Sequence, residues 1–309
     1  MSIPARFRAH VLLLAALAAP LPAWAQRASD NAVANADDAF GTNVGTESSG
    51  IYTENDTRGF SPLKAGNVRI DGIYFDQVAV VPVRLRQSTT IRVGFAAQDF
   101  PFHAPTGIVE HKFRPWPTEL GASVGMMVNG FGGYMPEVDV RIPLIKDHLA
   151  LTGGAVASDI QQSDGSGSFS WGATLRPIVR IGGAEISPFY AKGGFSKSFA
   201  RPIYVVTGDT LPQVPRARRY VGQDWASGSS ANHTGGITVK ASLSSALSVR
   251  AGLFTSGGLR KKGFNEIFTL VPGNAMVRHT LIADPEQDVH STSGEAQLDV
   301  IFAGPLPPN

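Results

Sequence analysis

The chain has 309 residues, of which 17% are charged, below the roughly 25% of an average soluble domain, and it contains no cysteine. The lack of cysteine excludes a disulfide framework and any cysteine-ligated metal site. Its 27 basic residues include Arg6 and Arg8 of an N-terminal leader, so the remaining 25 balance the 25 acidic ones, and the basic stripe of a nucleic-acid-binding protein is excluded.

The first 25 residues have the layout of an export signal. Arg6, Arg8 and His10 precede an apolar run at 11–19, and Ala23-Trp24-Ala25 supplies small residues around a cleavage point. This run is far shorter than the ~20 residues that a membrane-spanning helix needs. We therefore predict a cleaved signal peptide at 1–25 and an exported chain that is periplasmic, secreted or a membrane β-barrel.

The next two segments differ in composition. Residues 26–38 are small and polar, which predicts a flexible N-terminal segment. Residues 39–115 mix short apolar stretches with many Gly, Asn, Asp and Pro residues, which predicts a compact α+β unit. Within it, Asp71-Gly72 is a pair typical of a tight turn, and we expect Val68, Ile70 and Ile73 beside it to be buried.

Strict alternation of apolar and polar residues begins after Glu119. It recurs in six segments, at 120–128, 138–144, 169–179, 237–243, 247–253 and 296–302. A period of two over such lengths predicts strands with one apolar and one polar face. Counting poorly patterned strands between these segments, we expect about eight strands.

The lengths of the connections between strands distinguish a membrane β-barrel from a soluble β domain. After a tight Gly-rich link at 130–133, short connections at 146–147, 182–183 and 244–245 alternate with longer ones at 160–167, 197–233 and 257–292. Membrane barrels with short periplasmic turns and longer outer loops show this alternation. We therefore predict an antiparallel transmembrane β-barrel whose apolar side chains face lipid, with a soluble β domain as the alternative.

The stretch from Phe40 to Arg114 resembles the plug domain of TonB-dependent outer-membrane receptors. The residues that carry the resemblance are Arg58, Gly59, Gly66, Asn67, Arg69, Asp71 and Gly72, and segments 88–94 and 104–109 resemble later plug strands. The resemblance implies a mainly β fold, with a plug domain at 39–115 and the N-terminal part of an outer-membrane β-barrel at 116–309. Receptors of this kind close a barrel of roughly 22 strands, so about eight strands indicate a truncated or partial receptor.

The resemblance also implies a function. It predicts a receptor in the bacterial outer membrane that takes up a scarce nutrient, most commonly a ferric siderophore, with TonB, ExbB and ExbD at the inner membrane as partners. Outer-membrane lipid and lipopolysaccharide would surround it. Only Ala32-Val33-Ala34 offers a candidate TonB box, so a passive channel or ligand-binding barrel without TonB coupling stays open.

Two groups of side chains are candidates for functional contacts. Glu137, Asp139 and Arg141 form the polar row of the second predicted strand and would contact the plug. Long-loop residues would suit an anionic ligand through charge and stacking, or else contact lipopolysaccharide or solvent; these are Arg201, Arg216, Arg218, Arg219, Tyr220 and Trp225.

Motifs of enzymes are weak in this sequence. Ser61 and Lys64 match the Ser-x-x-Lys motif of penicillin-recognising enzymes, and Ser29-Asp30-Asn31 matches their Ser-Asp-Asn motif. The order of the two motifs is reversed here, and the third motif, Lys-Thr-Gly, is missing. The seven histidines are scattered, without the spacing of a metal site. We predict no enzyme activity, no cofactor and no metal site.

Overall fold

A computed structural model describes residues 33–38, 41–45, 61–97, 107–207, 216–270 and 276–301. Contacts divide the chain into Met1–Asp30, which lies outside the described residues together with the predicted signal peptide, and Asn31–Asn309. The second unit contains a small sheet and a large sheet.

The small sheet contains six strands in the order β2-β1-β5-β6-β3-β4. Their bounds are Val33–Asp38 (β1), Gly41–Gly45 (β2), Val68–Ile70 (β3), Ile73–Tyr74 (β4), Arg86–Arg92 (β5) and Ile108–Phe113 (β6). A short 3-10 helix at Gly94–Ala97 is the helical element of its described part, so the unit predicted as α+β is mainly β there. Frequent Gly and Pro residues keep its apolar stretches too short for a helical repeat. No helix in the described ranges is long and apolar enough to cross a membrane.

Strand β1 corrects part of the predicted flexible segment. Residues 33–38 pair in parallel with β5 and antiparallel with β2, although their composition is polar. Ladder hydrogen bonds satisfy the backbone of β1 whatever its side chains are, and composition alone does not reveal them.

The predicted tight turn is confirmed as the hairpin between β3 and β4. Asp71 and Gly72 have φ angles of 51° and 85°, and Ile70 pairs with Ile73. Two successive residues with positive φ are the mark of a type I′ turn, which Gly tolerates without strain. Val68, Ile70 and Ile73 are buried, as expected.

The large sheet is a run of sequential antiparallel strands in the order β7-β8-β9-β10-β11-β13-β14-β16. The bounds are Gly121–Val128 (β7), Tyr134–Ile145 (β8), Leu149–Gln161 (β9), Gly167–Ile181 (β10), Ala184–Phe199 (β11), Pro202–Val206 (β12), Ser227–Ser242 (β13), Leu247–Leu270 (β14), Met276–Asp284 (β15) and Gln287–Val300 (β16). The eight sequential strands agree with the predicted number. The long β14 continues past β16 and there pairs with β12 and β15.

The two faces of the large sheet follow the predicted parity. In β10, Trp171 and Leu175 are 41% and 53% exposed on the outer face, whereas Thr174 and Arg176 are buried on the inner face. In β8, Val138 is 39% exposed, and Val140 and Ile142 are half-buried. The apolar side chains therefore do not line a dry protein interior, which is the arrangement of lipid-facing strands.

Of the two segments predicted as long loops, 257–292 is largely strand and 197–233 is strand in part. Residues 197–233 include β12 and the start of β13, and residues 257–292 include the second half of β14, all of β15 and the start of β16. The prediction of loops is wrong there because β14 and β15 are joined by backbone hydrogen bonds that do not need alternating side chains. The short connections at 146–148, 182–183 and 243–246 are as expected.

Candidate functional site

The small sheet packs against the inner face of the large sheet, and this contact is the candidate functional site. Its apolar part joins aromatic rings of both sheets. Phe75 meets Phe254 edge-on with ring centroids 5.6 Å apart, and Phe113 meets Phe189 at 4.8 Å. All four side chains are at most 5% exposed. Burial of these rings provides the main non-directional attraction between the sheets.

An ion pair connects the β3–β4 hairpin to the last strand. Arg69 Nη1 donates to Glu295 Oε2 at 2.5 Å and to the carbonyl of Gly72 at 3.1 Å. The same Glu295 oxygen accepts the backbone N–H of Tyr74 at 2.7 Å. Gln297 donates to the carbonyl of Gly72 at 3.0 Å. Strand β16 therefore binds both the Arg69 side chain and the backbone groups of Gly72 and Tyr74 in the hairpin.

The turn residue Asp71 contacts a second strand of the large sheet. Lys240 of β13 donates to Asp71 Oδ2 at 3.1 Å, and the N–H of Phe113 donates to Oδ1 at 3.1 Å. Asp71 thus links its own sheet to the large one. A side chain at Gly72 would approach the Arg250 guanidinium to 2.9 Å, so the turn lies close to the wall.

The polar row of β8 contacts the small sheet at its other end. Arg84 Nη2 donates to Glu137 Oε2 at 2.8 Å, and Arg84 Nε lies 3.4 Å from Asp139 Oδ1. Arg114 Nη1 lies 3.9 Å from the same Asp139 oxygen. Two of the three candidate contact residues on β8 therefore meet arginines of the small sheet, whereas Arg141 lies beside Gly121 of β7.

Arg176 contacts the small sheet, which the sequence did not predict. Its Nη1 donates to the carbonyl of Arg114 at 2.5 Å and its Nε to Ser187 Oγ at 2.7 Å. Its guanidinium also lies 4.9 Å from the centre of the Phe113 ring. Arg176 has the inward parity of β10, so the alternation places it in the lumen but does not name its partner.

Serine hydroxyls of the last strands hold the segment after β4. Ser256 Oγ accepts the N–H groups of Val78 and Ala79 at 3.1 and 2.8 Å. Ser293 Oγ accepts the N–H of Asp76 at 2.9 Å, and Ser291 donates to the Asp76 carboxylate at 2.5 Å. These hydrogen bonds place residues 76–79 against β14 and β16.

A cavity of about 300 Å³ lies between the segment 80–84 and the wall. Val80, Pro82 and Arg84 line one side, and residues of β10, β11 and β13, including Thr174 and Thr234, line the other. A shift of residues 80–84 would change its size.

His111 is a fully buried titratable group of the small sheet. It is 0% exposed, Thr89 Oγ1 lies 3.0 Å from its Nδ1, and Gln77 Oε1 lies 3.1 Å from its Nε2. Burial, reinforced by the nearby positive charge of Arg86, lowers the pKa of His111 to about 3. The imidazole is therefore neutral, with its proton on Nε2 facing Gln77.

The remaining motif residues lie in or before β3. Gly66 has a φ of 71°, and the N–H of Asn67 donates to the carbonyl of Pro62 at 2.9 Å. Ser61 Oγ accepts the N–H of Lys64 at 3.2 Å, so the Ser-x-x-Lys match is part of a turn. Arg58 and Gly59 lie outside the described residues.

The candidate loop residues lie at the end of the large sheet opposite the short turns. Arg201 contacts Asp164 at 3.4 Å and Arg218 donates to the carbonyl of Gly130 at 2.7 Å. Arg216 and Arg219 are exposed, and Trp225 is 66% exposed with its ring edge-on to Phe264.

A buried carboxylate fixes this loop to β14. Glu266 is 0% exposed and accepts hydrogen bonds from Tyr220 Oη at 3.2 Å and from the N–H of Gln223 at 2.9 Å. His279 Nε2 lies 3.0 Å from its other oxygen. Burial, with the Glu266 charge beside it, raises the pKa of Tyr220 above its usual value, so the phenol stays protonated and donates.

No protein-family model and no curated protein matches this sequence. Solved structures of outer-membrane receptors share the fold. The Escherichia coli ferric-catecholate import receptor Fiu (closed form) has a TM-score of 0.58 and 13% identity, over 77% of this chain and 37% of that one. BauA, the ferric preacinetobactin receptor of Acinetobacter baumannii, has a TM-score of 0.58 and 16% identity, over 83% and 39%. The pyoverdine outer membrane receptor FpvA of Pseudomonas aeruginosa has a TM-score of 0.59 and 14% identity, over 89% and 40%.

The chain thus spans 37–40% of the length of these receptors. At such low identity the likeness concerns the fold. The predicted resemblance is confirmed at that level: the chain has the fold of part of a TonB-dependent receptor, with a mainly β architecture and part of a large barrel.

Proposed function

We propose that this chain is the plug domain and first barrel strands of a TonB-dependent outer-membrane receptor that takes up a scarce nutrient, most commonly a ferric siderophore. One observation carries the proposal. The small sheet is bound to the inner, polar face of strands whose outer face is apolar, through separate ion pairs at Glu295, Lys240 and Glu137. A plug domain that closes the lumen of a barrel and moves during transport needs separate polar contacts that can break one by one.

The energetics of these contacts favour a domain that can move. Glu137 and Glu295 keep 27% of their side-chain surface exposed, and Lys240 keeps 44%. The other partners, Arg84, Arg69 and Asp71, are at most 9% exposed, so each pair contributes about 1–3 kcal/mol as a charged hydrogen bond that water reaches from one side. Hydration can therefore offset the loss of these ion pairs when the plug shifts. Separating the packed aromatic rings would cost more free energy.

Three features support an iron complex as the substrate class. Fiu is described as a ferric-catecholate receptor and BauA as a ferric preacinetobactin receptor. Arg216 and Arg219 are exposed at the loop end, where guanidinium groups suit anionic oxygen ligands. The exposed ring of Trp225 offers a stacking surface. Arg201, Arg218 and Tyr220 would then hold the loop rather than the ligand.

Location and energy coupling belong to the same proposal. The signal at 1–25 would direct the chain to the outer membrane, where lipid and lipopolysaccharide contact the apolar outer face. TonB, with ExbB and ExbD, would pull on the N-terminal segment. The candidate box residues Val33 and Ala34 belong to β1, which pairs with β5, so TonB would have to separate β1 from β5 to engage them.

The same pairing favours a second candidate function, a channel or ligand-binding barrel without TonB coupling. A box that is already part of a sheet is a poor extended peptide for TonB to capture. This candidate differs from the first only in its dependence on TonB.

The test measures uptake of radioactive iron bound to ferric siderophores by iron-starved cells that lack their own receptors. We expect the full receptor of which this chain would be part to confer uptake in cells with tonB and no uptake in cells without it. Uptake that persists without tonB would establish the second candidate. Cells that display the protein in the outer membrane but neither bind nor accumulate any ferric siderophore of the catecholate, hydroxamate or mixed classes would overturn the proposed substrate class.

A further inference from the structure

Three basic side chains form one row on the outer face of the large sheet. Lys192 of β11 is paired with His233 of β13, His233 with Gly257 of β14, and Gly257 with His290 of β16. Their neighbours in sequence, such as Ala191 and Thr234, are buried on the inner face. Because successive side chains alternate between faces, the row points away from the small sheet.

Gly257 allows the two histidines to approach each other. A Cβ at this position would overlap His290 Nδ1 and the His233 ring. Without it, the two rings lean across β14 with their centroids 5.5 Å apart. Tyr190 stacks on the other side of His233 at 6.4 Å. The row is therefore a continuous polar cluster across four strands.

The row lies where the apolar band ends. Toward the short turns the outer face carries Ile237 and Leu253, which pair with each other and are 37% and 58% exposed. Lys192 is eight residues from the strand end at Ala184, and His233 is nine from the strand end at Ser242. A spanning strand needs roughly 9–11 residues, so the row falls at the border of the band away from the short, periplasmic turns.

The positive and negative side chains lie at opposite ends of this row. Lys192 is exposed and has no acidic partner among the residues that the structure describes. His290 Nε2 lies 2.7 Å from Asp288 Oδ1, which places the carboxylate at the far end of the row and leaves the space between Lys192 and His233 for an anion. An ammonium group and an imidazole N–H are suitable donors for phosphate oxygens.

We propose that Lys192 and His233, with His290 beside them, bind the phosphate of an outer-leaflet lipid headgroup, that of lipid A in lipopolysaccharide. This inference rests on the proposed location in the outer membrane. The acyl chains would lie along Ile237 and Leu253, and the phosphate would lie one row above them. The cluster is thus a lipid site on the barrel wall and is separate from the loops that would capture a nutrient.

The test uses the purified protein in detergent micelles and measures binding of lipid A that carries both phosphates, by native mass spectrometry. Lys192→Met should weaken binding about fivefold, the effect of one lysine near an anionic membrane surface. The double variant with His233→Gln should weaken it further. Lys146→Met, which removes an exposed lysine at the turn end of the sheet, is the matched control and should bind as the wild type does.

Gly257→Val tests the geometry without removing a charge. The added side chain should push the two imidazole rings apart and weaken lipid A binding, while heat-modified gel mobility reports that the barrel fold persists. Lipid A without phosphates should bind weakly to every variant, and millimolar inorganic phosphate should not compete.

Equal binding of both lipid A forms, or equal binding by the wild type and the double variant, would overturn the inference. Efficient competition by inorganic phosphate would show a free-anion site instead and overturn it as well. Iron uptake is measured separately in the same variants. Phosphate-dependent lipid binding without uptake would leave the lipid site standing and remove the proposed function, and the reverse result would do the opposite.

Discussion

Arg69 and Glu295 lie 226 residues apart in sequence, yet their side chains meet at 2.5 Å between the β3–β4 hairpin and the last strand. Arg69 is 7% exposed at its side chain, and it also donates to the Gly72 carbonyl. The pair connects the N-terminal sheet to β16, the last strand of the large sheet.

Glu295→Gln should loosen this hairpin. The substitution removes the carboxylate that accepts from the buried Arg69 guanidinium, and the loss of a charged hydrogen bond costs about 1–3 kcal/mol. We expect faster amide hydrogen exchange at Tyr74, whose N–H donates to Glu295. Asp299→Asn is the control, because its exposed pair with Arg250 contributes little. Unchanged exchange at Tyr74 would show that the pair does not hold the hairpin.

Arg84 and the acids of β8 should be energetically coupled. Arg84→Met and the double variant Glu137→Gln with Asp139→Asn each remove one side of the same contact. A double-mutant cycle on urea unfolding in micelles should give a coupling of about 0.5–3 kcal/mol, as for residues in direct contact. Strictly additive effects would mean that the contact is only incidental to docking of the small sheet.

Phe254→Ala should cost far more than any single ion pair. The ring is 1% exposed and packs between Phe75 and Phe189, so its removal leaves a cavity and should lower the unfolding free energy by about 3–5 kcal/mol. Leu253→Ala, which removes a 58% exposed side chain on the outer face, is the neighbouring control and should cost much less in micelles. Comparable losses for the two variants would contradict the assigned faces.

Stability should fall in acid because of His111. Its pKa is about 3 in the folded chain and near 6.5 when unfolded, so the unfolded state binds more protons between these values. The contribution of His111 to the unfolding free energy is complete above pH 6.5 and is lost as the pH falls toward 3. The unfolding free energy changes by up to about 1.4 kcal/mol per pH unit in this range. His111→Gln should reduce that slope by one proton in unfolding titrations. An unchanged slope would show that His111 is not the group responsible.

Glu266→Ala should release the loop that carries the exposed arginines. Without the carboxylate, the N–H of Gln223 loses its acceptor and Tyr220 keeps the Ala200 carbonyl but loses its contact with β14, so the segment 216–226 should open. Limited trypsin digestion should then cleave faster after Arg216 and Arg219. Asp224→Ala changes an exposed acid of the same loop and serves as control. Equal cleavage of the two variants would exclude an anchoring role for Glu266.

The properties that repeat locally along the chain follow from the order of its residues. The alternation in β8, β10, β13 and β14 predicted strands and the outward direction of Val138 and Leu175, because side chains on a strand alternate with a period of two. Asp71-Gly72 predicted its turn, since both positions need positive φ. The polar parity also placed Glu137 and Asp139 on the inner face.

Which residues contact each other across the two sheets does not follow from any local pattern. Parity puts Lys240, Arg176 and Glu295 in the lumen, but their partners depend on how the small sheet is seated there, which no local pattern encodes. The pairing of β1 with β5 and the extension of β14 beyond β16 were likewise hidden, because backbone hydrogen bonds form between strands distant in sequence without regard to side-chain alternation.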